Sequence, residues 1–385
     1  MNVEAGKTRL EEKLQSLSPE RRALLARRLK AQGGGAQPRI QATARHGQDT
    51  FPLSFAQQRL WFLEQWAPGN PAYVQIFNLH LKGAPRPALL AEALRQLIQR
   101  HEALRTTFVT VDGQPAQRIH PQLAIDLPLT DLSQLPAEAG AAEAARMTLQ
   151  EARKPFDLER GPLIRAQLLR LTAEEWRLLM TQHHIITDAG SLNLMLRELA
   201  AIYSALATGK PSPLAAPALQ YVDFAQWQRN WLQGEALEKQ MAYWRGKLQG
   251  LETIDLPLDH ARPAMQRYLG IKRFVTLPPE IATSLRAMCQ REGVTLYILT
   301  MAVFKVLLQR YTGLSSIVVG SPSANRERIE TESIMGFFTN TLVMQTDVSG
   351  DPTFRELLKR VKETALEAYA HQDVPFEKLV EELHP

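Results

Sequence analysis

Residues 175–191 read EWRLLMTQHHIITDAGS, an apolar run that passes through two adjacent histidines and an aspartate into a helical pattern. The first half predicts a mostly buried β-strand of ordinary length. The apolar residues that follow recur at helical spacing, with Asp188 or Ser191 available as the N-cap. The stretch therefore places His183 and His184 where a strand ends and a helix begins.

The two adjacent histidines cannot share one task. Neighbouring strand residues point to opposite faces, so the imidazoles of His183 and His184 cannot bind one metal or act on one atom. A zinc site is disfavoured, because no third ligand follows His184 and Asp188 at a spacing typical of zinc. One histidine is then the chemical residue and the other a packing residue. A pair of hydrogen-bonded core histidines without a chemical role remains the alternative.

Composition bounds the class of protein. The chain has 385 residues, of which 45% are hydrophobic, enough for a large core and two lobes. Its net charge of +5 comes from residues 1–50, where ten Lys or Arg stand against five Asp or Glu. The neutral remainder disfavours nucleic-acid binding. The single cysteine, Cys289, fits a reducing compartment, and no apolar run is long enough to span a membrane. We expect a cytoplasmic protein with no nucleic-acid or membrane partner.

The N-terminal residues differ from the body. A helix is predicted over residues 19–30, with Ser18 as N-cap, either solvated or docked on an acidic partner. The run Gly33 to Gly35 and the polar stretch to Asp49 predict a flexible linker. Further patterns predict helices at 90–105, 142–153, 191–208, 279–292, 295–311 and 353–370, and extended segments at 106–111, 272–277, 317–320 and 342–346. Alternating strands and helices indicate an α/β class.

Six ordered motifs carry a family resemblance. They are SFAQQRLWFL at 54–63, RHEALRTTF at 100–108, HHIITDA at 183–189, YVDFAQWQ at 221–228, MGFFTNT at 335–341 and HQDVPFEKLV at 371–380. In this order they resemble the motifs of the condensation domains of nonribosomal peptide synthetases, whose signature is HHxxxDG. The resemblance extends over residues 53–384.

The resemblance implies the fold and the domain organisation. It predicts an α/β fold of two lobes like chloramphenicol acetyltransferase, arranged as a V-shaped pseudo-dimer with the histidine motif in a tunnel. The implied division is a basic helix and linker at 1–50, an N-terminal lobe at 51–215 and a C-terminal lobe at 216–385. Because the chain stops before the family's last motif, the C-terminal lobe is expected to be incomplete.

The resemblance also implies the reaction. Condensation domains join a donor acyl or peptidyl thioester to the amino group of a carrier-bound aminoacyl thioester. The 4'-phosphopantetheine arms of the carrier proteins enter as part of the substrates, and no cofactor is bound directly. The implied partners are donor and acceptor carrier proteins and a neighbouring adenylation domain, with acyl-coenzyme A as a further donor. The alternatives are a starter-type domain that takes a fatty-acyl donor, an epimerization domain, which the residues after the motif disfavour, and a non-catalytic docking domain.

Roles for the central residues follow from the resemblance. His184 is expected to position the amine and take its proton, while His183 is expected to be structural. Asp188 either orients His184 or forms a buried ion pair that holds the lobe together. The resemblance favours the ion pair, with Arg100 as the partner and Arg105 lending further charge.

Residues around the helix start complete the predicted site. The amides of Ala189 and Gly190 are candidates to stabilise the developing charge on the thioester oxygen. Ala189 replaces the family's glycine, at a place where the backbone approaches the substrate or takes a positive φ, so activity is expected to be reduced or tuned there. Residues expected to line the channel or support it are Ser191, Asn340 and Trp227.

Overall fold

The computed structural model describes residues 38–263, 268, 270 and 273–383. Their contacts divide the chain into two compact units. The N-terminal unit comprises residues 38–231 and 324–339, and the C-terminal unit comprises residues 232–323 and 340–383. This division differs from the predicted boundary between residues 215 and 216, because the helix that begins at Tyr221 and the segment 324–339 belong to the N-terminal unit.

The elements in the described part of the chain are short strands and longer helices. The strands are β1 (Thr50–Pro52), β2 (Val74–Lys82), β3 (Thr106–Val111), β4 (Gln114–Ile119), β5 (Leu129–Asp131), β6 (Ile164–Arg170), β7 (Glu175–His183), β8 (Ser316–Ser323) and β9 (Asn340–Asp347). The α-helices are α1 (Phe55–Trp66), α2 (Pro87–Arg100), α3 (Ala137–Arg153), α4 (Ala189–Ala207), α5 (Tyr221–Trp231), α6 (Gly234–Leu248), α7 (Pro279–Glu292), α8 (Leu296–Thr312), α9 (Phe354–Ala370) and α10 (Phe376–Leu383).

The main sheet of the N-terminal unit has the strand order β2-β7-β6-β5. Strand β7 pairs antiparallel with β2 and β6, whereas β5 pairs with β6 in parallel. The apolar side chains of β7 are almost all buried because both faces of the strand are covered: Leu178 and Met180 lie in one core cluster and Leu179 in another. Val74 at the start of β2 pairs with His183 at the end of β7, so the histidines lie at one end of the sheet.

Helices α2 and α4 pack in the same core as this sheet. The apolar stripe predicted on α2 is confirmed, since Leu90, Ala93, Leu94, Leu97 and Ile98 are all buried. They share a cluster with sheet residues such as Leu178 and with α4 residues such as Met195. Helix α2 ends earlier than predicted, at Arg100, and a 3₁₀ turn over Glu102–Arg105 follows.

The C-terminal unit is built on a two-stranded antiparallel sheet of β8 and β9. Helices α6 to α10 contribute to its core, in which Trp244, Leu299, Ile317 and Leu358 are buried. The helices and the two strands predicted after residue 279 are found. The strand predicted at 272–277 is not, because residues 273–277 form no strand pairing and Lys272 lies outside the described residues.

The segment 38–49 packs against the N-terminal unit, so the predicted linker is wrong there. Ile40 is buried in a cluster with Phe224. Arg45 forms ion pairs of 2.8 Å with Asp223 and with Glu102. Ile40 and Arg45 therefore anchor the segment, while most of its other residues are exposed. The helix predicted at 19–30 and the run of three glycines lie outside the described residues.

No single helix among the described residues has both the length and the apolar character needed to cross a membrane. Helices α7 and α8 meet this criterion only as a pair, and the pair is bent by 102°.

Candidate active site

The site is built where β7 gives way to α4. After His183 the chain makes one 3₁₀ turn, His184–Ile186, and α4 begins at Ala189. Asp188 is the N-cap, because its Oδ1 accepts a hydrogen bond of 2.7 Å from the backbone N–H of Ser191. Of the two predicted caps, Asp188 is therefore the one the chain uses.

His184 is partly exposed and held in one tautomer. Its Nδ1 lies 2.6 Å from the carbonyl oxygen of Thr187. A carbonyl oxygen only accepts, so Nδ1 carries the proton and Nε2 of the neutral ring carries a lone pair. Nε2 has no hydrogen-bond partner within the described residues. The ring packs edge-on against Phe337, with 4.8 Å between centroids.

His183 is enclosed in the protein. It is 1% exposed, and its Nδ1 accepts a hydrogen bond of 3.1 Å from the backbone N–H of Ile185. Its ring lies edge-on to Phe156 at 6.2 Å. Burial, and to a lesser extent the neighbouring imidazole of His184, lowers the pKa of His183 to about 3. His183 is therefore a neutral packing residue at pH 7.

The carboxylate of Asp188 does not reach His184. Besides capping α4, its Oδ1 pairs with Arg326 Nη2 at 3.0 Å, and its Oδ2 accepts a hydrogen bond of 3.0 Å from the backbone N–H of Phe338. The ion pair is buried, with side-chain exposures of 10% for Arg326 and 3% for Asp188. Asp188 therefore fastens the start of α4 to the segment 324–339.

Arg100 is not the partner of Asp188, contrary to the prediction. Its Nε pairs with Glu198 Oε2 at 2.9 Å, and the same oxygen lies 2.6 Å from His101 Nε2. Glu198 follows Asp188 along α4 by about 15 Å at 1.5 Å per residue, which puts the aspartate out of reach. Burial raises the pKa of Glu198, but the hydrogen bonds from His101 and Arg100 lower it more.

Arg105 also lies elsewhere than predicted. Its guanidinium donates to the backbone carbonyl of His120 and lies 3.9 Å from Glu102. These contacts are made beside the 3₁₀ turn that follows α2, so the charge of Arg105 supports that turn and not Asp188.

Arg326 is the site residue that the sequence patterns did not predict. Nη1 donates to the carbonyl oxygens of Thr331 and Ile334, at 2.6 and 2.7 Å. Nη2 donates to Asp188 and, at 2.7 Å, to Ser191 Oγ. The guanidinium also lies over the ring of Phe338, 4.0 Å from its centroid. No spacing pattern connects it to Asp188, which is 138 positions away.

The close packing of Arg326 explains why position 190 is a glycine. A Cβ at Gly190 would lie 2.7 Å from Nε and 2.9 Å from Cδ of Arg326, so a side chain there displaces the arginine. Ala189 is exposed, and its φ is not positive. The alanine therefore fits the first turn of α4 without backbone strain. The role predicted for the two amides in stabilising an oxyanion stays a prediction.

Ser191 is buried and fully engaged. Its Oγ donates to the carbonyl oxygen of Gly336 at 2.7 Å and accepts a hydrogen bond of 2.9 Å from the N–H of the same residue. Gly336 lies against the ring of Tyr221, where a Cβ would be 1.9 Å from Cδ2. Ser191 therefore joins the start of α4 to the segment 324–339.

Trp227 and Asn340 make structural contacts in separate units. Trp227 donates from Nε1 to the carbonyl of Pro38 at 2.8 Å and stacks on Trp231 at 5.2 Å. Asn340 donates to the carbonyls of Gln372 and Val374 and accepts from the N–H of Phe376 at 3.0 Å. Backbone hydrogen bonds thus occupy the Asn340 side chain.

Metal ligands are not clustered in the part of the chain that the structure describes. It holds no group of three or more His, Cys, Asp or Glu side chains that could bind a metal ion.

Comparison with known proteins identifies the family. Residues 47–385 match the sequence-family description of the condensation domain. The chain belongs to the condensation domain family. A protein of the linear gramicidin synthase of Brevibacillus parabrevis is 50% identical to this condensation domain over 333 residues, which are 86% of this chain and 4% of that protein.

A second relative matches more of the chain. Phosphinothricin tripeptide synthetase PhsC of Streptomyces viridochromogenes is 41% identical over 377 residues, which are 97% of this chain and 34% of that protein. Such relatives are subunits of nonribosomal peptide synthetases. The condensation domain therefore spans a small part of the length of the curated relatives it matches.

Solved structures confirm the predicted fold class. The X-domain from teicoplanin biosynthesis matches with a TM-score of 0.78 and 31% identity, over 89% of this chain and 75% of that one. The first condensation domain of the calcium-dependent antibiotic synthetase matches with a TM-score of 0.76 and 26% identity, over 87% and 78% of the two chains. The condensation domain thus has the mixed helix and sheet fold of the chloramphenicol acetyltransferase type.

Proposed function

We propose that this condensation domain forms an amide bond between a donor acyl or peptidyl thioester and the amino group of a carrier-bound aminoacyl thioester. The observation that carries the proposal is the state of His184. Its ring is partly exposed, is fixed by Thr187 with the proton on Nδ1, and presents an unpaired lone pair on Nε2. A neutral imidazole in this tautomer can take a proton from an incoming ammonium or amine.

The proposed step is aminolysis of a thioester. The amine nitrogen attacks the thioester carbonyl carbon, its proton passes to Nε2 of His184, and the carbon–sulfur bond breaks as the thiolate leaves and takes up that proton. An α-amino group titrates at about 7.7 to 8.0, so freeing it at neutral pH costs on the order of 1 kcal/mol. Holding amine and thioester together contributes more, about 7 to 11 kcal/mol. The base contributes roughly 10² to 10⁴ in rate.

The proposed substrates and partners are those that family membership supports. Carrier proteins would deliver both thioesters on 4'-phosphopantetheine arms, and a neighbouring adenylation domain would load the acceptor. The domain itself would bind no cofactor. Relatives that are synthetase subunits support this assignment. With a single cysteine in its sequence, the domain suits the cytoplasm, where we place it.

A non-catalytic docking domain is the second candidate. The observation that favours it is the likeness to the X-domain, which has been solved in complex with OxyB and is 32% identical at a TM-score of 0.77. Ala189, in the position of the family's glycine, also favours the docking candidate. His184 counts against this candidate, because a docking surface does not need an imidazole with an unpaired nitrogen.

The deciding experiment gives the domain one loaded acceptor carrier and a series of donors, and detects products by mass spectrometry. Amide formation supports the proposal, and a peptidyl donor or a fatty-acyl donor identifies an elongating or a starter type. The Ala189→Gly variant is the matched comparison. Carrier binding without amide from any donor, in both proteins, would contradict catalysis and favour docking.

A further inference from the structure

A directed chain of hydrogen bonds ends beside His184. The backbone N–H of Gln57 donates to Ser54 Oγ at 3.1 Å, and Ser54 Oγ lies 2.8 Å from the hydroxyl of Tyr221. The Tyr221 hydroxyl in turn donates to the carbonyl oxygen of Phe337. Since that carbonyl only accepts, the serine hydroxyl must donate to the tyrosine oxygen. The chain runs from the N-cap of α1 to the residue that packs on His184.

Each link in this chain is shielded from water. Ser54 is 0% exposed, Tyr221 1% and Phe337 2%. Hydrogen bonds in such surroundings are stronger than in water, and each polarises the next. The Tyr221 ring also packs closely against Gly336, where it leaves no room for a Cβ.

Phe337 transmits this constraint to the imidazole. The two residues beside it in the chain are hydrogen-bonded to α4 and its N-cap. The backbone N–H of Gly336 donates to Ser191 Oγ, and the backbone N–H of Phe338 donates to Asp188 Oδ2. Its ring then meets the His184 ring at 4.8 Å and 60°. The single hydrogen bond to Thr187 fixes one edge of the imidazole, and the Phe337 ring limits its rotation about that bond.

We propose that Tyr221 is a positioning residue for His184. By holding the Phe337 carbonyl, the tyrosine hydroxyl fixes the Phe337 ring, and this keeps Nε2 of His184 aimed at the reacting amine. The kinetic consequence rests on the proposed amide-forming function, whereas the effect on the imidazole does not. The hydroxyl acts through Phe337 and does not touch substrate.

The test is Tyr221→Phe, which removes the hydroxyl and keeps the ring against Gly336. We expect kcat to fall about tenfold, as for a small misplacement of a reacting group, with the KM for the acceptor carrier unchanged. In protein labelled with ¹⁵N-histidine, we expect the His184 ring signals to shift or broaden. Tyr203→Phe is the matched control, because its hydroxyl bonds the N–H of Arg86, remote from the site, and it should leave both readouts unchanged.

Two further variants keep the claim testable if Tyr221→Phe does not fold. Ser54→Ala breaks the chain one step earlier, and Phe337→Leu removes the ring contact. Each should alter the His184 signals. Wild-type ring signals and wild-type kcat in all folded variants would overturn the proposal. If the parent chain forms no amide, the labelled spectra still decide the positioning claim separately from the proposed function.

Discussion

At the residue scale, Asp188 accepts hydrogen bonds from three donors, one at the start of its own helix and two in the distant segment 324–339. One carboxylate caps α4, pairs with Arg326 and accepts the N–H of Phe338. The buried guanidinium needs this charge, because an unpaired ion in the interior is costly. Asp188 therefore joins the start of α4 to the segment 324–339, which also carries Phe337.

Asp188→Ala should lower the free energy of unfolding by about 3 to 5 kcal/mol, because it leaves the buried charge of Arg326 unpaired. Chemical denaturation measures this, with exposed Asp126→Ala as the control expected to stay within about 0.5 kcal/mol of the parent. The double variant with Arg326→Met should depart from additivity by about 0.5 to 3 kcal/mol. Strict additivity would contradict a direct ion pair.

Gly190→Ala tests the close packing on Arg326. The added Cβ would lie 2.7 Å from Nε, so the variant should lose about 1 to 3 kcal/mol of stability through overpacking. Gly246→Ala is the matched control, because that glycine lies exposed within α6 with no atom within 4 Å of an added Cβ. The control should gain about 0.5 to 1 kcal/mol from helix propensity. Equal gains at both positions would refute close packing at Gly190.

At the element scale, periodicity predicted what local sequence decides. The buried stripe of α2 and the helix after the histidines were predicted from apolar spacing, because the apolar face of a helix is determined by residues within that helix. The strand at 272–277 was not found, since a strand also needs a partner that its own sequence does not specify. The pairing of Asp188 with Arg326 rather than Arg100 depends on tertiary packing, which no spacing rule encodes.

The helix α8 carries a buried lysine that predicts a pH dependence. Lys305 is 0% exposed and donates to the carbonyls of Ile317 and Met344. Burial, and secondarily Lys247, lowers the pKa of Lys305 to about 7. Between about pH 7 and 10.4 the unfolded chain binds a proton that the folded chain lacks, so this lysine makes stability rise with pH.

Lys305→Met should remove this rise. The difference in unfolding free energy between parent and variant should change by up to about 1.4 kcal/mol per pH unit across that window. Denaturation at a series of pH values measures it, with exposed Lys239→Met in α6 as the control that keeps the parent's profile. A difference that does not vary with pH would show that Lys305 stays charged when folded.

At the scale of the whole molecule, each unit has its own core, and Thr187 and Phe337, which contact the His184 ring, both belong to the N-terminal unit. The segment 324–339 explains how this arises, because it follows β8 of one unit and yet supplies Arg326 and Phe337 to the other. Ordered motifs predicted the family and the fold class. They could not predict that the segment 324–339 packs in the N-terminal unit, because that packing brings together residues far apart in the sequence.

Proton transfer from the attacking amine to His184 is the step on which the proposed function depends. Single-turnover amide formation by His184→Ala, measured at pH 7 with loaded donor and acceptor carriers, tests this step, and exposed His80→Ala is the control. We expect a rate about 10² to 10⁴ lower for His184→Ala and a parental rate for His80→Ala. A His184→Ala rate within about twofold of the parent, a bound of about 0.4 kcal/mol on any contribution, would contradict a role for the imidazole.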